Sequence, residues 1–147
     1  LIYATTSYDL GVWAYTTQGD IVTISKHKQL KILIVDDHPI VLKALHSMFQ
    51  DLGYMAEMAV IGEEAVVKAA YGYDLILIDI GLPGINGLEA VRAIRKIENE
   101  KPAYIIVLTA HVSEKIEKEA ILVGANLVVP KPIKKSKIKE VLELCIQ

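Results

Sequence analysis

From residue 30 onward, short apolar runs alternate with stretches in which apolar residues recur every three or four positions. The runs have strand length: Lys31 to Val35, Tyr54 to Val60, Tyr73 to Ile80, Ala103 to Leu108 and Asn126 to Val129. Helical spacing lies between them. It is carried first by Ile40, Val41, Ala44, Leu45, Met48, Phe49 and Leu52, then by residues 63–71, then by Leu88, Val91, Ile94 and Ile97. Ile116, Ala120, Ile121 and Val123 carry the fourth helix, and Ile138, Val141, Leu142 and Cys145 the last. Punctuation agrees with this division. Pro39 suits a first helical turn, where its missing N–H costs nothing. Gly53 and Gly124 suit helix ends. Ser113 suits an N-cap, and Asn86 followed by Glu89 forms a capping-box-like pair. Strands alternating with helices predict parallel βα units. The nearly continuous apolar runs predict strands buried on both faces.

Residues 1–29 follow another pattern. They hold Trp13, Tyr3, Tyr8 and Tyr15 among many threonines, and they read as short strands broken at Asp9-Leu10-Gly11 and Gln18-Gly19-Asp20. Ser25-Lys26-His27-Lys28-Gln29 reads as a polar linker. The expected organisation is a β-rich N-terminal extension with linker over 1–29 and an α/β domain over 30–147. The chain opens on Leu rather than Met, so we expect a piece of a longer protein. Residues 1–29 are then the tail of an upstream domain; a free arm, or a strand that pairs with a neighbouring copy, are the alternatives.

The 147 residues suffice for one domain with a real core plus an appendage. Hydrophobic residues make up 52% and charged residues 23%. A net charge of -2 supplies no basic field, which argues against direct nucleic-acid binding. The lone Cys145 cannot form an internal disulfide and sits in an apolar helical pattern, so packing is its expected role. No run approaches the ~18 apolar residues of a membrane helix, and the first residues lack the basic start of a signal peptide. A reducing, cytoplasmic setting is expected. Lys134, Lys135, Lys137 and Lys139 read as the solvated face of the last helix.

The chemistry collects where strands end. The first closes on Asp36-Asp37, the third on Asp79, the fourth on Thr109, and the fifth runs into Lys131. In a parallel α/β sheet all those ends lie on one side, where ligands bind. Singly, each residue has a plainer reading: Asp36 or Asp37 as a helix N-cap, Thr109 as a strand-end cap, Lys131 as a solvated charge, Asp79 as a turn cap. Together they describe a site. Three neighbouring carboxylates repel one another, and a hard divalent cation with oxygen ligands, Mg²⁺ above all, relieves this. Lys131 then offers a positive charge and Thr109 a hydroxyl to phosphoryl oxygens. Asp79 remains as the nucleophile, forming an acyl phosphate.

Residues 30–147 resemble the receiver domain of two-component response regulators. The motifs are Ile32 to Pro39 (Ile-Leu-Ile-Val-Asp-Asp-His-Pro), Asp74 to Glu89, Val107-Leu108-Thr109-Ala110 and Lys131-Pro132. The resemblance implies a flavodoxin-like doubly wound parallel sheet of five strands, in the order 2-1-3-4-5 already known for this family, with five helices. It implies that Asp79 accepts a phosphoryl group from a phosphohistidine on a histidine kinase or histidine phosphotransfer protein. It further implies that Asp37 binds Mg²⁺ directly, Asp36 largely through water, and the Gly81 backbone carbonyl as a third ligand beside Asp79. Thr109 and Lys131 would bind phosphoryl oxygens, and Lys131-Pro132 would be cis. Such a chain is a phosphoacceptor that catalyses only its own phosphorylation and dephosphorylation. Homodimers through the last strand and helices occur in many relatives, and here the point stays open.

One position departs from the family pattern. Receivers usually carry an aromatic residue three before the lysine as a partner for the threonine; here it is Val128. Receivers fused to hybrid sensor histidine kinases often lack it too, so a hybrid-kinase fragment is the preferred context. The Asp-Asp-His-Pro opening resembles stand-alone regulators instead. Two other readings are weaker. A haloacid-dehalogenase-like phosphatase also uses a strand-end Asp, but it needs a second Asp two residues on as acid/base, where this chain has Gly81. A dinucleotide module needs G-x-G-x-x-G, and Gly81, Gly84 and Gly87 are spaced otherwise.

Gly81 and His111 lie two residues past Asp79 and Thr109, flanking the phosphoryl position in this family. Replacing both with bulkier side chains is expected to change the decay rate of the acyl phosphate, because side chains there admit or block water. An unchanged rate measured by phosphate release refutes that role.

Overall fold

The computed structural model describes residues 4–7, 12–25, 30–98 and 100–146. Tyr3, Tyr8, the Asp9-Leu10-Gly11 break and residues 26–29 of the expected linker lie outside them. The N-terminal stretch forms a three-stranded antiparallel meander: β1 (Ala4–Ser7), β2 (Val12–Thr17) and β3 (Asp20–Ser25). Gln18 and Gly19 make the β2–β3 turn with positive φ at both residues, the backbone that a tight hairpin between twisted strands requires.

The second sheet holds β4 (Ile32–Val35), β5 (Ala56–Ala59), β6 (Leu75–Asp79), β7 (Tyr104–Thr109) and β8 (Leu127–Pro130), in the order β5-β4-β6-β7-β8. Every neighbouring pair is parallel. Counted within this sheet, the order is the expected 2-1-3-4-5. The helices are α1 (Pro39–Asp51), α2 (Gly62–Ala69), α3 (Gly87–Ile97), α4 (Glu114–Val123) and α5 (Lys135–Ile146). None of them is long and apolar enough to cross a membrane.

Strand alternation builds two cores from one sheet. Leu33, Val35, Ile76, Ile78, Ile105 and Val107 pack with Ala65, Ala69, Ala90, Val91, Ile94 and Ala120 of α2, α3 and α4. Ile32, Ile34, Leu75, Leu77, Ile106 and Leu108 pack with Leu42, Leu45 and Phe49 of α1 and with Ile138, Val141 and Leu142 of α5. The sheet is thus covered on both faces, as parallel sheets are.

Helix spacing located the helices better than it located their buried faces. Ile40 is 84% exposed, whereas Leu42, absent from the expected stripe, is buried. Ile97 and Ile121 are also exposed, and α4 buries only Ala120 fully. Each helix step turns about 100°, so a helix whose apolar residues encircle it is oriented by its neighbours. The caps follow expectation at α3 and α4. Asn86 accepts from Glu89 N at 3.0 Å, and Ser113 from Ile116 N at 3.2 Å. Gly124 ends α4 at φ +110°, a left-handed conformation open to glycine at no steric cost. Neither Asp36 nor Asp37 caps α1; its N-cap residue is His38, with no side-chain cap bond.

Gly87 decides how closely α3 approaches the end of β6. A Cβ there would stand 2.3 Å from the Asp79 carbonyl oxygen and 2.8 Å from Ile80 Cα, and Gly87 N donates to Ile80 O at 3.1 Å. Backbone cannot yield as a side chain tip does, so Gly87→Ala is expected to cost about 2 kcal/mol or more. Urea denaturation measures the loss, and a midpoint equal to wild type would contradict this packing.

Candidate functional site

The buried polar side chains of the described residues are Asp36, Asp79 and Thr109, at 1%, 4% and 3% exposure. All sit at or just past the carboxyl ends of strands: Asp36 after β4, Asp79 closing β6, Thr109 closing β7. An unpaired carboxylate at such depth is costly, and Lys131, one residue past β8, supplies the partner. Its Nζ lies 2.9 Å from Asp79 Oδ1 and 3.1 Å from Asp36 Oδ2. Burial works against the ammonium, but its hydrogen bonds to Asp79 and Asp36, with their charges, outweigh burial and hold the Lys131 pKa above the ordinary lysine value. The Lys131-Pro132 peptide is cis.

The backbone contributes further donors. Gly81 N donates to Asp79 Oδ1 at 3.1 Å, the same oxygen that Lys131 holds. His38 N donates to Asp36 Oδ1 at 2.8 Å. A Cβ on Gly81 would lie 3.7 Å from Asp79 Oδ1, so this position borders the Asp79 carboxylate. It also means that no carboxyl group is available there as acid/base for a phosphatase.

Asp37 completes the acidic group. Its Oδ1 is buried and makes no hydrogen bond, although His38 Nδ1 stands 3.1 Å away. Asp36, Asp37, His38 and Asp79 each place one donor atom within 4.8 Å of all the others. A buried carboxylate oxygen without a hydrogen bond, in a group of hard oxygen donors, fits a divalent cation. Asp36, Asp37 and Asp79 are therefore the residues that could hold one.

Thr109 behaves differently from the other expected members. Its hydroxyl donates to His111 O at 3.1 Å and accepts from His111 N at 3.3 Å, which is the local cap that a threonine favours at a strand end. Register nevertheless sets it beside the site, because Asp79 pairs with Leu108, the residue before it. Val128 is half-buried against the core with Val123; no large ring occupies that position.

Two contributors lay outside the sequence expectation. His38 enters the cluster through its ring, and adjacency to the Asp36-Asp37 pair was the only hint. Glu63, at the start of α2, accepts from Ile85 N at 3.1 Å and so ties down the loop that follows Asp79. Its sequence signal, an acidic first turn, fits helix-dipole stabilisation equally well.

Over its α/β part the chain is similar to known proteins. The profile of the response regulator receiver domain matches residues 32–143. Hybrid signal transduction histidine kinase B of Dictyostelium discoideum is 38% identical over an alignment 120 residues long that covers 74% of this chain and 6% of that protein. Chemotaxis protein CheY of Treponema pallidum is 32% identical over an alignment 114 residues long that covers 75% of this chain and 78% of that one. The chain thus spans a small part of some relatives and most of others. Among solved structures, the receiver domain of the Pseudomonas aeruginosa sensor histidine kinase PA1611, with a magnesium ion coordinated in its active site cleft, aligns at TM-score 0.72 and 32% identity. That alignment covers 81% of this chain and 98% of the other. Vibrio cholerae CheY4 aligns at TM-score 0.74 and 31% identity over 80% of this chain and 99% of its own.

Removing the Lys131 charge leaves Asp36 and Asp79 facing each other uncompensated. Lys131→Met is expected to cost about 1–3 kcal/mol at neutral pH without divalent metal. Because the folded-state pKa is raised, this contribution is complete below the ordinary lysine value of 10.5 and fades as pH climbs through the folded value. Wild type should therefore lose stability in the alkaline range faster than Lys131→Met. Parallel alkaline slopes in chemical denaturation would exclude the pairing as the source.

Proposed function

The chain belongs to the response regulator receiver family of two-component signalling, and we propose that it takes a phosphoryl group from phosphohistidine onto Asp79. The observation that carries this is the convergence of Asp36, Asp79 and Lys131 within hydrogen-bonding distance at the strand ends. Lys131 Nζ and Gly81 N both fall on Asp79 Oδ1, and Oδ2 is the oxygen we assign to attack. The P–O bond to Asp79 forms as the P–N bond to the donor imidazole breaks, and the electron pair leaves with that nitrogen. Lys131 is then placed to neutralise charge on the phosphoryl oxygens. Thr109, on release from His111, supplies a hydroxyl to another.

Asp37, Asp36, Asp79 and the Gly81 carbonyl are the groups we assign to Mg²⁺. Bound there, the ion would offset the carboxylate charges and those of the phosphoryl oxygens. Asp37 Oδ1, buried without a hydrogen bond, supports its part in that set, and the magnesium in the PA1611 receiver supports the choice of ion. The only chemistry assigned to the chain is making and losing its own acyl phosphate.

We place the domain boundary at residue 30, so that 30–147 is the receiver and 1–29 a separate β-rich extension. A histidine kinase or histidine phosphotransfer protein is the partner in this reading, on the cytoplasmic side. Hybrid histidine kinases among the relatives, together with Val128, favour the hybrid-kinase context.

Incubation with Mg²⁺ and acetyl phosphate is expected to add one phosphoryl mass to the intact chain. Asp79→Asn should abolish the gain, and omitting Mg²⁺ should reduce it strongly. A wild-type mass that stays unchanged, or steady turnover with free phosphate release as in a phosphatase, would defeat the assignment.

A further inference from the structure

The loop from Ile80 to Asn86 leaves Asp79 and leads into α3. Two carboxylates take amides near its two ends. Asp79 Oδ1 accepts from Gly81 N at 3.1 Å, and Glu63 Oε1, reaching over from α2, accepts from Ile85 N at 3.1 Å. On the premise of the phosphoacceptor reading above, we infer that Glu63 is a positioning residue for phosphoryl transfer: by holding Ile85 it fixes the loop that sets Gly81 against the Asp79 carboxylate.

The plainer role for an acid in the first turn of α2 is to favour the helix dipole. Its neighbour already serves that helix start. Glu64 accepts from Val60 N at 3.0 Å and pairs with Lys68 at 3.1 Å. Glu63 points its carboxylate away from its own helix and onto the loop instead. The contact is fitted from both sides. A Cβ on Gly84 would stand 2.8 Å from Glu63 Oε1, and one on Gly62 would stand 2.7 Å from Ile85 Cγ1 and 3.0 Å from Ile85 O. Glycine on the helix and glycine on the loop are what allow the two to come this close.

The loop needs such a tie. It contains Gly81 and Gly84, whose backbones are intrinsically permissive. Gly87 N closes its base on Ile80 O at 3.1 Å, and the buried Leu82 anchors its middle. Glu63 holds the far side. Without that bond Gly81 N wanders from Asp79 Oδ1, and fewer chains stand ready for transfer at any moment. A role for the Glu63 charge alone has the opposite sign. A negative charge repels an anionic phosphodonor, so its removal would speed the reaction.

The rate of phosphoryl gain from acetyl phosphate with Mg²⁺ is followed by intact mass in the wild-type chain, Glu63→Ala and Glu63→Gln. Glu63→Ala should be slower by about threefold or more, within the ~10²-fold that a 1 Å misplacement can cost. Glu63→Gln keeps a side-chain carbonyl that accepts from Ile85 N but carries no charge, so its rate should return to within about twofold of wild type. Hydrogen exchange at the Ile85 amide, read by NMR on the unphosphorylated chain, should quicken in Glu63→Ala and stay slow in Glu63→Gln. A Glu63→Gln rate as low as that of Glu63→Ala assigns the effect to the charge at the start of α2 and overturns the inference. If the wild-type chain gains a phosphoryl group and Glu63→Ala gains it as fast or faster, the inference alone falls. If the wild-type chain gains none, the phosphoacceptor reading falls with it.

Discussion

Two buried carboxylates of like charge hold their places because one ammonium spans them. Asp36 and Asp79 belong to adjacent strands, β4 and β6, while Lys131 comes from beyond β8, two places away from β6 in the sheet. A lysine's long stem can cross that width and still present a compact charge. The pairing links residues 95 positions apart in the chain, so it exists only when the whole sheet is in register. Its stabilisation and the site's chemistry therefore share one arrangement. In the proposed reaction, a phosphoryl group brought to Asp79 would meet the Lys131 ammonium already in place.

The sheet supplies the stiffness that this arrangement needs. Its inner strands are buried on both faces, and each alternate residue belongs to one of two separate cores. A one-residue slip of any strand would exchange the two sets and scatter the polar ends. The loop after Asp79 is held from two directions. Gly87 lets α3 begin against the Asp79 backbone, and Glu63 reaches over from α2 to the Ile85 amide. Thr109 is tied instead to the exposed β7–α4 loop, where its hydroxyl bonds to His111.

Legibility varied from residue to residue. Strand ends were readable because an apolar run that stops at Asp36, Asp79 or Thr109 is a local pattern. The caps Asn86 and Ser113 were readable for the same reason. Ile40 and Leu42 were not: both are apolar, both lie in the first turn of α1, and only docking onto the sheet chooses between them. Thr109 belongs to the expected constellation, yet its hydroxyl makes the plainer strand-end bond. His38 escaped notice as a donor because a residue next to a motif has no direction until its backbone is fixed.

The sequence by itself determined the alternation of strands and helices, the parallel sheet that follows from it, and the set of side chains at the strand ends. These depend on periodicity and on residues within a few positions of one another. Tertiary structure alone decided which helix faces are buried, that Lys131 reaches both Asp36 and Asp79, that Asp37 keeps a buried oxygen without a hydrogen bond, and that the His38 ring joins the acids. The physical reason is that these outcomes are distances between atoms far apart along the chain or free to rotate, and packing sets such distances only after the sheet has closed.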